Sequence, residues 1–193
     1  MSQTQEQLLK SIAHFLEENK IPYMITGAWS VIYYARPRAS HDIDFVVELG
    51  KNDIPKVLKA FKKLSFEYLI QTNSIKEAIE KKDMFNIIHL PTTLKLDFWL
   101  LKNDPFDESR FARKKKIKLV NQFMFIATAE DTILKKLAWY KQSKLEKHLI
   151  DAAFVYQIQK KNLDKLYLEK WVKQLRLTSL LKDLSKLDLE EYM

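Results

Sequence analysis

The chain has 193 residues, 47% apolar, 12% aromatic and 30% charged, which is enough to bury a real core as one large domain or a domain with an appendage. It contains no cysteine, which excludes disulfides and thiolate-held metals, and its four histidines (His14, His41, His89, His148) lack paired-ligand spacing, which argues against zinc. The net charge of +8, from 33 basic against 25 acidic residues, reads first as lysine-covered helices and second as a surface that draws in nucleic acid or nucleotides.

The N-terminal MSQTQEQLLK has no signal-peptide core, and no apolar run is long enough to span a bilayer, so a cytoplasmic location without membrane contact is expected. Residues 4–19 carry Leu8, Leu9, Ile12, Phe15 and Leu16 at helical spacing. Ile21–Thr26 reads as a short buried strand, Gly27 as a break, and Ala28–Ala35 as a buried helix. The ARPRAS segment is a loop, because Pro37 disfavours helix at the residue before it.

Asp42–Glu48 is rich in β-branched residues and predicts a central strand. Helical period returns at Ile54, Val57, Leu58, Phe61 and Leu64. A strand over Phe66–Ile70 and a helix over Ser74–Lys82, opened by the capping box Ser74-Ile-Lys-Glu77, follow. Met84–Leu90 and Leu94–Leu101 predict a hairpin about Pro91-Thr-Thr. Lys115–Val120 and Phe123–Ile126 predict two strands about a turn at Asn121-Gln122. The basic run Ala112–Lys118 thus reads also as a strand edge.

From Thr128 onward the pattern is helical. Thr128-Ala-Glu-Asp131 is a capping box, followed by an apolar face at Ile133, Leu134, Leu137 and Ala138. Further helices are expected near 145–159, 165–175 and 178–188, and their aromatics (Trp139, Tyr140, Phe154, Tyr156, Trp171) read as core. The expected fold is α+β, a mixed sheet with flanking helices over residues 1–126, then an all-helical segment over 127–193 packed on it.

Chemistry concentrates in ITGAWSVIYYARPRASHDIDFVV, Ile25–Val47. Side chains at i and i+2 of a strand share a face, so Asp42 and Asp44 project together. Like charges that close are costly without a cation or proton between them. Asp97, in the strand LKLDFWLL, adds a third carboxylate if the two strands are neighbours. Three carboxylates at one point suit Mg2+ or Mn2+, hard ions that take oxygen ligands. Two such ions roughly 3.5–4 Å apart would bind nucleotide phosphates and activate a hydroxyl. Gly27, at a strand-to-helix turn, lets backbone amides approach a phosphate; Ser30 can add a hydroxyl and Arg38 a planar fork.

These residues resemble the nucleotidyltransferase superfamily typified by DNA polymerase beta: Thr26-Gly27-Ala28, a gap, Asp42-Ile43-Asp44, then Asp97. Ala28 stands where that pattern has a second Gly or Ser. The segments ARPRASHDIDFVV, Phe85–Phe98 and Ala127–Ala152 are similar to small prokaryotic members related to abortive-infection toxin nucleotidyltransferases. The resemblance implies that Asp42, Asp44 and Asp97 are the catalytic metal ligands, and that Gly27, Ala28, Ser30, Arg38 and Lys136 face the nucleotide. Lys136 lies in E-D-x-I-x-x-K-L-A, and Asp151, ending K-H-L-I-D, matches an accessory aspartate of the family; His148 stands where the toxins often carry an acidic residue.

The function implied is magnesium-dependent transfer of a nucleotidyl group from an NTP to a hydroxyl of tRNA, protein or a small molecule. A toxin role with a cognate antitoxin goes with that resemblance. The alternative is a catalytically silent nucleotide- or RNA-binding module of the same fold.

Overall fold

The structure, a computed structural model, describes residues 4–64, 66–119 and 121–192. By contact density the backbone divides into two units. One runs to Thr26 and resumes over Ser40–Ile126; the other takes Gly27–Ala39 and continues from Ala127.

The first unit opens with α1 (Gln5–Glu18), started by a capping box in which Thr4 Oγ1 accepts from the Gln7 N–H and Gln7 Oε1 accepts from the Thr4 N–H. Its buried stripe is Leu8, Leu9, Ile12, Ala13 and Leu16. The strands are β1 (Tyr23–Thr26), β2 (Asp42–Val47), β3 (Tyr68–Leu69), β4 (Met84–His89), β5 (Leu94–Leu100), β6 (Lys115–Leu119) and β7 (Gln122–Ile126), which form one sheet ordered β3-β4-β5-β2-β1-β7-β6. β2 pairs antiparallel with β1 and parallel with β5, and β4 and β5 form the expected hairpin. Helices α3 (Ile54–Phe61), α4 (Thr72–Lys81) and α5 (Pro105–Ala112) complete the unit.

The register decides what each face of the sheet carries. Phe45, Phe98 and Phe85 are direct partners across β2, β5 and β4, and their rings stack at centroid distances of 5.4 and 4.9 Å. Phe61 of α3 meets Phe98 and Phe85 edge-on, and Phe15 of α1 meets Phe61, so this face is the aromatic core. Alternation then sends Asp42, Asp44, Lys95, Asp97 and Trp99 to the opposite face.

The second unit contains α2 (Gly27–Tyr34), α6 (Ala129–Ser143), α7 (Glu146–Gln159), α8 (Lys165–Gln174) and α9 (Thr178–Leu184). α6 and α7 form a closely packed pair, and α2 packs on both. Thr128 caps α6, its Oγ1 accepting from the Asp131 N–H and its hydroxyl donating to Asp131 Oδ2.

Two local expectations are corrected. The Ser74 capping box does not form: α4 begins at Thr72, and Gln71 at its N-cap makes no side-chain hydrogen bond. The pairing of Tyr68 and Leu69 with His89 and Ile88 ends the strand early, and the helix starts two residues sooner than its cap motif suggests. α5, for which no helix is expected, carries strong start signals. Asp104 accepts from the Phe106 and Asp107 N–H groups, Pro105 sits at the first turn, and Asp107 and Glu108 follow. The strand expected over 115–120 is observed to Leu119; Val120 lies outside the described residues. Asn121 makes the turn with φ 61°.

Candidate active site

In the first unit, β2 and β5 run parallel with Asp44 opposite Asp97 and Asp42 opposite Lys95. All three expected carboxylates therefore lie on one sheet face, on adjacent strands. Asp97 is 6% exposed. Its Oδ2 accepts from Lys95 Nζ at 3.0 Å, and its Oδ1 is buried with no hydrogen-bond partner. Trp99 Nε1 donates to Asp44 Oδ1 at 3.3 Å.

Burial raises the Asp97 pKa; the Lys95 contact pulls it back, and the charges of Asp44 and Asp42 push it up again. Burial also works to lower the pKa of the Lys95 ammonium, but its hydrogen bond to Asp97 and the charges of Asp97, Asp42 and Asp44 outweigh that and raise it.

Among the described residues, no three His, Asp or Glu side chains are drawn together as a ligand group, so the carboxylates stand as a row with a lysine ammonium beside them. The row nonetheless fits a divalent ion. Its donors are hard oxygens, and Asp97 Oδ1 is an orphaned buried acceptor. The position already attracts a cation.

In the second unit, Gly27 opens α2 with φ 63°, a conformation that disfavours any residue with a Cβ. Ala28 and Ser30 are buried, and the Ser30 hydroxyl donates to the Gly27 carbonyl at 2.9 Å, bracing the turn. Arg38, Lys136 and Asp151 come together: Asp151 Oδ2 accepts from Lys136 Nζ at 2.7 Å and from Arg38 at 3.1 Å. Lys136 and Asp151 are 7% and 4% exposed.

His148 lies one turn before Asp151 on α7, with its ring stacked on Trp139 of α6. Burial, then Lys136 and Lys147, lower its pKa to about 4 against an opposing pull from Asp151, with Arg38 adding to the lowering. Its Nδ1 and the Arg38 Nε are buried without hydrogen-bond partners. Lys136 and Arg38 thus share one oxygen of Asp151.

Lys95, Trp99 and Asn86, which is the cross-strand partner of Asp97, escape a search for carboxylates and glycines alone. The alternation in LKLDFWL is the signal that could have found the first two, since Lys95 and Trp99 flank Asp97 at i±2.

The chain is an enzyme of the nucleotidyltransferase class. A family model described as aminoglycoside-2''-adenylyltransferase matches residues 8–123. The chain belongs to that family.

Three solved structures share the fold. The antibiotic-resistance factor ANT(2'')-Ia in solution is 11% identical with a TM-score of 0.60, covering 93% of this chain and 97% of its own. The lincomycin-bound lincosamide antibiotic adenylyltransferase LnuA is 12% identical with a TM-score of 0.53, covering 82% and 99%. An antigenic nucleotidyltransferase-like protein from Paracoccidioides brasiliensis is 15% identical with a TM-score of 0.52, covering 92% and 91%. No curated protein sequence matches the chain. Among the described residues, no helix is long and apolar enough to cross a membrane.

Proposed function

We propose that the chain transfers a nucleotidyl group from an NTP to a hydroxyl of a small, hydroxyl-bearing acceptor of the aminoglycoside type. The observation that carries this is the register placing Asp44 beside Asp97, with Asp42 two residues along on the same face. Family membership favours a small-molecule acceptor over tRNA or protein.

Asp42, Asp44 and Asp97 are the residues proposed to hold Mg2+ or Mn2+, which when bound neutralises the triphosphate and acidifies the acceptor hydroxyl. Asp97 is proposed to offer its buried, unpartnered Oδ1 to that ion, and the proton of the acidified acceptor hydroxyl passes to solvent. The acceptor oxygen bonds to the α-phosphorus as the bond from that phosphorus to the bridging oxygen breaks, and pyrophosphate leaves with the electron pair. Backbone N–H groups at the Gly27-Ala28 helix start, together with Arg38 and Lys136, are proposed to take phosphate oxygens. Ser30 acts on the Gly27 turn, and Asp151 positions the two cations.

The test is pyrophosphate release and label transfer from each of the four NTPs with Mg2+, using aminoglycosides, a lincosamide and bulk tRNA as separate acceptors. Label is expected on an aminoglycoside, with D44N and D97N lowering kcat by about 10²–10⁴-fold. Equal transfer by wild type and D44N would sink the ligand assignment, and label on tRNA alone would replace the acceptor.

A further inference from the structure

Lys95 is placed by the sheet, not by chance proximity. It faces Asp42 across β2 in register and lies two residues before Asp97 on its own strand, so its side chain projects on the carboxylate face. Its Nζ stands 3.0 Å from Asp97 Oδ2. The charges of Asp97, Asp42 and Asp44 all act on its ammonium. We propose that Lys95 is a tethered counter-cation that holds the carboxylate row in the free chain, competes with a divalent ion for Asp97, and thereby sets how tightly that ion binds.

Three features fit an exchangeable cation better than a permanent salt bridge. The Lys95 side chain is 39% exposed while that of Asp97 is 8% exposed, so the lysine is the partner with a route to solvent. A lysine contributes one point charge on a flexible stem, whereas an arginine fork would grip the carboxylate through two bonds. Only Oδ2 is spent on the lysine, and Oδ1 is free to be taken before the ammonium leaves. The row is then never left as bare, uncompensated charge, which would be costly so near the core.

The inference rests on the metal-ligand reading of the three aspartates. It is tested without turnover, by electron paramagnetic resonance of free Mn2+ titrated against the full chain without NTP. K95M keeps the aliphatic stem and is expected to bind Mn2+ roughly ten-fold more tightly than wild type, the size expected of one charge acting through partly solvated surroundings. K95R restores the cation and is expected to bind no more tightly than wild type. In EDTA K95M is expected to melt below wild type, and Mn2+ to raise its Tm by more than it raises that of wild type.

If K95M binds Mn2+ no more tightly than wild type while D44N weakens binding, the lysine proposal fails and the metal-ligand reading survives. If D44N binds as wild type does, or wild type and K95M both fail to bind, the metal-ligand reading itself fails and takes the lysine proposal with it.

Discussion

Asp151 serves two cations through one oxygen, Lys136 at 2.7 Å and Arg38 at 3.1 Å, and that sharing ranks the effects of substitution. Removing one partner of a buried pair costs about 3–5 kcal/mol when the survivor is left uncompensated. Lys136→Met leaves Asp151 with Arg38, so a loss below that range is expected. Asp151→Asn removes the anion from both cations, and its cost should be the larger of the two in urea denaturation of the same protein.

The same cluster gives a pH dependence. The His148 pKa is held at about 4, by burial first and then by Lys136 and Lys147, with Arg38 adding to the lowering and Asp151 opposing it. In the unfolded chain it returns to about 6.5. Between those values the unfolded state binds the proton and the folded state does not, so stability falls as pH drops from about 6.5 to about 4 and is level, for this group, above that window. His148→Gln removes this component. The gap between wild-type and variant urea midpoints is expected to change across the window; a constant gap would mean that His148 titrates normally.

At the scale of elements, β2 and β4 are legible from β-branched residues and β5 from the alternation of LKLDFWL, which together mark the hairpin of β4 with β5. The three aspartates were legible on the same alternation. Their adjacency was not, because pairing β2 with β5 joins residues far apart in sequence, and no local pattern encodes that contact. For the same reason nothing in the sequence links Arg38 and Lys136 to Asp151.

α5 is legible too, since Asp104-Pro105 with Asp107 and Glu108 is a complete helix-start signal, but its short apolar pattern gives no helical period to go with it. Its cap is directly testable: Asp104→Ala removes the acceptor for two backbone N–H groups and should cost about 1 kcal/mol by thermal or urea unfolding. Gly27 carries a different constraint. With φ 63°, Gly27→Ala should destabilise by about 1–2 kcal/mol, and any effect on NTP affinity beyond that would point to the turn's own contact with phosphate.

At the scale of the whole molecule, the units are not consecutive in sequence. The chain leaves the first at Thr26, returns at Ser40 and leaves again after Ile126. A chain ended at Ile126 would keep every residue of the sheet, yet it would also carry α2 without α6 and α7, the helices on which α2 packs. α2 buries Ala28, Trp29, Val31 and Tyr34, and large apolar side chains are worth about 1.5–3 kcal/mol each when buried. Such a fragment is therefore expected to expose an apolar surface, bind a hydrophobic dye and lose the cooperative unfolding of the full chain. Supplying residues 127–193 as a second polypeptide should reduce dye binding and restore a cooperative transition. A monodisperse, cooperatively melting fragment ending at Ile126 that binds no dye would show that α2 needs no helix from the C-terminal segment, and that the connection from β1 into Gly27 alone holds it in place.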